Sequence, residues 1–382
     1  MSSLDEENIK ILQTMKEHGP RNLQQVARRS KLPYSTVYAR VSKLQSLNAL
    51  STWVHPSYSK IGLARAMVLA RAFPGKEFLA RDALTIPGYW LRITRCLGEP
   101  NGFYSLHAVP VENQQDFHNY LDQLVTRGAI KDYQIFWLGE SYSPLPNFEY
   151  FDPKQRNWKF EWSEWLRWMR TGKNAEPRRT YPPGANGFDK KDLIILKELS
   201  KDARITLADL SKMLNMTLPA TKYRFDRLVG DGYIGDYVIN ILPFLPEVSD
   251  LCEVRLDFTD EGFMRLAEKV LAKTPFVLTI TPIRGLNSVT VRIYLPRQEM
   301  NNLLSFMSTL AREGILAGYS YLQLDPVTQQ AQTFAYKDYA DETGWHYDNR
   351  EYLREVVETL TNWPKLEAKE ATIQVKQVLS FQ

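Results

Sequence analysis

The chain has 382 residues, of which 44% are hydrophobic and 24% charged. That is material for two to four packed domains and excludes wholesale disorder. No apolar run approaches the roughly 20 residues that cross a bilayer, and the acidic start Met-Ser-Ser-Leu-Asp-Glu-Glu lacks the order of a signal peptide. A cytoplasmic protein without a membrane partner is expected. Cys96 and Cys252 stand far apart, so neither a disulfide framework nor a cysteine zinc cluster is available. The net charge of +4 is unevenly spread: no Asp or Glu occurs between Glu17 and Glu77, an interval holding ten Lys and Arg. A window of this kind is what a polyanion-binding face looks like in sequence.

The chain repeats itself. Residues 4–50 align without gaps on 188–234, and 101–138 on 287–324, with the apolar phase kept throughout. Each copy opens with three short helices. Ser3-Leu4-Asp5-Glu6 reads as a capping box, and Ile9, Leu12 and Met15 line one face of the helix it starts. Leu193, Leu196 and Leu199 are their counterparts. A second helix is expected at about 22–29 (206–213 in copy two), then a tight turn through Lys31-Leu32-Pro33 or Asn215-Met216-Thr217. On the third helix Val37, Val41 and Leu44, matched by Thr221, Phe225 and Leu228, are core positions. Tyr34, Ser35, Thr36, Tyr38, Arg40 and Lys43 are left facing outward.

That arrangement is a helix–turn–helix, whose last helix enters the major groove of double-stranded DNA. Ser35 and Thr36 at its first turn suit base edges, and Arg40 and Lys43 suit phosphates. Arg28, Arg29 and Lys31 flank the turn where a DNA strand would pass. Copy two offers Lys222, Tyr223, Arg224 and Arg227, with Asp226 and Asp231 interrupting the basic run.

After each helical part the pattern reads strand, helix, strand, strand, helix, strand, with copy-one strands near 65–73, 89–97, 103–109 and 132–138. A βαββαβ order gives a ferredoxin-like antiparallel sheet with helices on one face. The fold class is α+β: helix–turn–helix domains over 1–56 and 188–243 alternate with sheet domains over 60–170 and 248–357. The Pro-, Gly- and charge-rich stretch 171–187 is the linker and 358–382 a tail. The sheet domains are expected to pair as an internal pseudo-dimer, and chains to associate as homodimers or higher. Between sheet and linker, Trp158, Trp162, Trp165 and Trp168 fall within eleven residues, echoed by Trp345, Tyr347 and Tyr352. Such a stripe is expected to dock on its own domain.

The opening Leu4-Asp5-Glu6-Glu7-Asn8-Ile9-Lys10-Ile11-Leu12, its repeat Phe188-Asp189-Lys190-Lys191-Asp192-Leu193-Ile194-Ile195-Leu196 and the third-helix patterns resemble the Lrp/AsnC family of transcriptional regulators. The resemblance covers about 4–140 and 188–325. It implies operator DNA as partner, association with the nucleoid, and a small effector, commonly an amino acid, held between sheet domains. The family places a Gly and an Asp in the turn between the second and third strands. Here the positions are Gly98 and Asn101, with Gly285 and Asn287 in copy two, so the carboxylate that could hold an amino group is absent.

Sirohaem decarboxylases look like the same fold turned to enzymology. Arg92, Arg95, His107 and His118 are the residues that could serve a tetrapyrrole here, although the His-Cys-Tyr and Trp-Pro-Tyr-Asn type segments associated with those enzymes are missing. A protein–protein adaptor that keeps the helix–turn–helix as scaffold is a further alternative. Phosphate-loop, dinucleotide, zinc-protease and nucleophile-elbow motifs are absent, and the five histidines lack metal-ligand spacing. The expectation is a non-enzymatic regulator without cofactor or metal.

Overall fold

A computed structural model describes residues 4–172 and 187–363. The first helix–turn–helix consists of α1 (Glu6–His18), α2 (Leu23–Ser30), α3 (Tyr34–Ser46) and strand β1 (Ser51–Pro56). The first sheet domain follows as β2 (Leu63–Arg71), α4 (Glu77–Thr85), β3 (Trp90–Gly98), β4 (Gly102–Pro110), α5 (Gln114–Thr126) and β5 (Asp132–Leu138). An extension carries the short strands β6 (Phe151–Asp152) and β7 (Asn157–Trp158) and helix α6 (Trp162–Thr171).

The second copy repeats the order. Its helix–turn–helix is α7 (Lys190–Leu199), α8 (Leu207–Leu214), α9 (Leu218–Gly230) and β8 (Ile234–Asn240). Its sheet domain is β9 (Ser249–Phe258), α10 (Glu261–Leu271), β10 (Val277–Ile283), β11 (Ser288–Pro296), α11 (Met300–Arg312) and β12 (Leu316–Leu324). The short strands β13 (Gln330–Ala331), β14 (Tyr339–Ala340) and β15 (Gly344–Trp345) lie in its extension. The expected linker lies outside the described residues except at its two ends, and so does the tail beyond residue 363.

Compactness cuts across chain order. One unit joins Met1–Ile61 with Leu138–Leu324, and the other joins Gly62–Trp137 with Asp325–Gln382. The first contains both helix–turn–helix domains, the first extension and the second sheet, whose order is β12-β9-β11-β10. In the second unit β5, β2, β4 and β3 lie side by side in that order, with β13 beyond β3. Both orders are those of an antiparallel βαββαβ domain, as the strand pattern expects. Gly102 opens β4 because a Cβ there would stand 2.1 Å from the Ala70 carbonyl oxygen.

Helix starts differ slightly from the sequence reading. The cap of α1 is Asp5, whose carboxylate accepts the Asn8 N–H at 2.8 Å, and Ser3 lies outside the described residues. In copy two Asp189 accepts the Asp192 N–H at 3.0 Å while Asp192 accepts the Asp189 N–H at 3.1 Å, a reciprocal capping box. Val37, Val41 and Leu44 are buried as expected, with Ile11, Leu12, Met15 and Val26 around them.

The two helix–turn–helix domains are fastened to one another by an antiparallel ladder between β1 and β8, running from Ser51 opposite Asn240 to Pro56 opposite Ile234. Its centre has Trp53 opposite Val238 and Val54 opposite Tyr237. In the repeat, Trp53 corresponds to Tyr237 and Val54 to Val238. Each strand therefore pairs with its own counterpart about a local pseudo-two-fold, the self-complementary geometry of an isologous dimer contact. Lys16 Nζ meets Asp236 Oδ1 at 2.7 Å, Arg21 donates to the Ala203 carbonyl at 2.8 Å, and Arg204 donates to Gln45 at 2.6 Å.

The tryptophan stripe departs from expectation. It docks not on the sheet domain that precedes it but on the second one. The Trp162 and Trp165 rings lie 5.3 and 5.4 Å from Phe276, and Trp162 Nε1 donates to Glu299 at 2.8 Å. The second extension makes the reciprocal choice: Trp345 and Tyr347 pack on Tyr89 of the first sheet domain at 6.4 and 5.6 Å, and Tyr352 meets Tyr120. Because the two sheet domains share one apolar phase, the stripe itself carries no mark of which copy it covers.

Candidate nucleic-acid interface

The reading face of copy one is set by backbone geometry. Asn22 caps α2 through the Gln25 N–H at 3.0 Å, and Lys31 ends that helix in the left-handed conformation at φ 59°. Asn215 occupies the same place in copy two at φ 50°. This sharp exit allows α3 to begin at Tyr34. The buried Val37–Val41–Leu44 stripe fixes the rotation of α3, so that Tyr34, Ser35, Tyr38 and Lys43 are exposed. Thr36 is half-buried. Tyr34 and Tyr38, one turn apart, have ring centroids 6.1 Å from each other, and Tyr38 keeps 54% of its surface open.

Arg40 is the residue that sequence reasoning misplaced. Rather than pointing outward, it is half-buried and turns back to α1. It donates to Asp5 at 2.7 Å and Asn8 at 3.2 Å and also pairs with Glu7. Burial acts to raise the Asp5 carboxyl, but the Asn8 N–H and Arg40 hold it below its usual value. Arg28, Arg29, Lys31 and Lys43 are exposed, and none of them takes part in an ion pair among the described residues.

Copy two commits its cations differently. Arg224 donates to Asp189 and Asp192, each at 2.9 Å, and Arg227 pairs with Asp192. The Asp192 side chain is 1% exposed. Burial raises the Asp189 carboxyl, and the Asp192 N–H with Arg224 more than offsets this. Lys222 is exposed but salt-bridged to Asp226 one turn on. The expected DNA contacts Arg224 and Arg227 thus turn toward their own first helix. Tyr223 is left 71% exposed, and Leu218 and Met213 are exposed as well. The Asp5, Asp189 and Asp192 acids that hold these arginines are visible in the opening motifs. Nothing in the spacing alone links them to a residue 32 to 35 positions later.

The effector positions are at turns. Gly98 ends β3 and Asn101 lies in the turn to β4, Gly285 and Asn287 lie between β10 and β11, all four exposed, and the Asn287 carbonyl accepts the Phe258 N–H at 2.8 Å. Of the residues suited to a tetrapyrrole, His107 is fully enclosed, 2.9 Å from Ser105 and against Phe117 at 4.9 Å. Burial pushes its imidazole down to about 3, which keeps it neutral at ordinary pH. His118 accepts from Trp137 at 3.3 Å, Arg92 is half-buried opposite Ala331 and Arg95 is exposed. Among the described residues no group of three or more His, Cys, Asp and Glu is placed to hold a metal, and no helix is long and apolar enough to cross a membrane.

Residues 188–234 match the family model of winged helix-turn-helix DNA-binding domains. The chain is 43% identical over 51 residues to an uncharacterised HTH-type transcriptional regulator of Pyrococcus abyssi, a match spanning 13% of this chain and about a third of that protein. A crystal structure of the siroheme decarboxylase NirDL in co-complex with an iron-uroporphyrin III analogue is similar along almost the whole length. It covers 93% of this chain and 99% of its own, with TM-score 0.52 and 14% identity. An AsnC family transcriptional regulator from Agrobacterium tumefaciens covers 36% of this chain and 91% of its own, with TM-score 0.29 and 14% identity. The chain is thus similar to winged helix-turn-helix DNA-binding domains over 188–234, and along almost its whole length it shares its fold with the siroheme decarboxylase NirDL. At 14% identity that whole-length likeness shows fold alone, and the surface residues must decide activity.

Proposed function

We propose that the protein is a sequence-specific double-stranded-DNA-binding regulator that reads DNA with the first helix–turn–helix. One observation carries this reading: α2 and α3 present Arg28, Arg29, Lys31 and Lys43, uncompensated by any nearby acid in sequence, around the exposed Tyr34, Ser35 and Tyr38. With α3 in the major groove, Ser35 and the tyrosines reach base edges while the four cations hold phosphates on either side. Such contacts release condensed counterions, so affinity should fall steeply with salt, each phosphate contact contributing about 0.9 to the log–log slope.

The test is selection of genomic duplex fragments followed by anisotropy titration. Wild type is expected to enrich a discrete sequence, and R28A/R29A/K43A to bind it about 100-fold more weakly with unchanged thermal unfolding. Unchanged affinity would remove this face as the reader.

The whole-chain likeness to a siroheme decarboxylase favours a second reading, a tetrapyrrole enzyme on the same fold. Adding sirohaem and following the absorption spectrum decides it. A bound spectrum followed by decarboxylated product would establish the enzyme, and no change with intact DNA binding would leave the regulator.

A further inference from the structure

We infer that each chain reads a single, non-palindromic half-site, although its two helix–turn–helix domains are arranged with dimer-like symmetry. This deepens the proposed function and rests on it. The β1–β8 ladder relates α3 and α9 by a local pseudo-two-fold, and a symmetric pair of reading helices normally demands an operator of matching symmetry. The chemistry carried on that frame is unequal, with Lys212, in the place of Arg28, the exposed cation that copy two retains outside an ion pair among the described residues.

Residues 23–47 contain five cations and no acid; the equivalent 207–231 contain four cations and the acids Asp209, Asp226 and Asp231. Position by position the face is rewritten. Arg29 is replaced by Met213, Lys31 by Asn215, Tyr34 by Leu218 and Ser35 by Pro219. Proline at the second position of α9 brings no hydroxyl and no N–H to a base edge. Of the cations of α9, Arg224 and Arg227 are held by Asp189 and Asp192, and Lys222 by Asp226. Bringing this face to a duplex would place Met213 and Leu218, both more than half exposed, against phosphates and would bring Asp226 with them. Neither side chain offers a donor to an anion, and the carboxylate repels one.

The difference between Lys43 and Arg227 has a specific origin. The acid that draws Arg227 inward is Asp192, and the residue in its place in copy one is Asn8. A neutral amide there leaves Lys43 exposed. Two paired differences, Asn8 for Asp192 and Lys43 for Arg227, therefore separate a cation offered to solvent from one held by the first helix. The operator expected is one major-groove segment with its flanking phosphates, specified by copy one, and no inverted repeat. Two specified half-sites would require two chains.

The experiment takes the duplex selected by the full-length protein, maps it by hydroxyl-radical footprinting, and randomises each half separately. Randomising the half under copy one is expected to cost at least about 30-fold in affinity, and randomising the other less than about 2-fold. K222A/Y223A should likewise change affinity by less than about 2-fold. A protected inverted repeat whose halves are equally sensitive, or a K222A/Y223A loss as large as that of R28A/R29A/K43A, overturns the single-reader inference while leaving DNA binding intact. Failure to enrich any duplex overturns the underlying reading and the inference with it. A gain-of-function variant gives an independent check: M213R/N215K/P219S/D226Q should bind a duplex carrying two inverted copies of the specified half at least 10-fold more tightly than wild type does. No gain would count against the claim that these four positions silence copy two.

Discussion

The two helix–turn–helix domains share a core and differ in where their charges go. In the first, a single arginine, Arg40, is tied to Asp5 and Glu7, which are themselves about half exposed. In the second, Arg224 and Arg227 converge on Asp192, a carboxylate almost wholly out of solvent. The first arrangement leaves a cationic surface, and the second ties both arginines of its third helix to the first helix. Duplication within one chain allows this divergence, because both copies must keep the packing that the β1–β8 ladder requires while their outer faces need not match.

The comparison can be broken most severely at Asp192. D192A strips a buried carboxylate from two guanidinium groups, and removing one member of a buried pair typically costs about 3–5 kcal/mol. Because both arginines are partly exposed and can regain water, we expect about 2–3 kcal/mol, read as a lower denaturant midpoint at unchanged m-value.

A smaller effect is expected from N8D, which copies the acid of copy two into copy one. It should draw Lys43 inward and weaken DNA binding about 3- to 10-fold, measured by anisotropy, without loss of stability. Smaller again is R40A: its partners lie near the surface, so its removal should cost under about 1 kcal/mol. Cost equal to that of D192A would erase the distinction drawn between the copies.

Acid should affect the two caps alike. Asp5 and Asp189 both titrate below the ordinary 3.8 when folded. Their contribution is therefore fully present above the unfolded value and is lost as pH falls through the folded one. D5N/D189N is expected to show a shallower loss of stability between about pH 4 and pH 2 than wild type.

Much of the fold was legible in the sequence. The i, i+4, i+7 stripe of Val37, Val41 and Leu44 fixes α3 because only that face can be apolar. The strand expected near 103–109 is β4, which is buried on both faces. Two things were not legible. A stripe such as Trp162–Trp165 declares that it will be buried without naming its cover, and two copies with one pattern offer two candidates. Arg40 and Lys43 look equivalent on a helical wheel. Their fates diverge only through the residues facing them from α1, which helix periodicity does not report.

The most direct test of the account is the salt dependence of binding by wild type and R28A/R29A/K43A on the same selected duplex. If these side chains neutralise phosphates, removing three of them should lower the magnitude of the log–log slope by about 3 as affinity falls. A slope that stays the same in the variant would contradict the assignment of the first helix–turn–helix as the DNA-reading face.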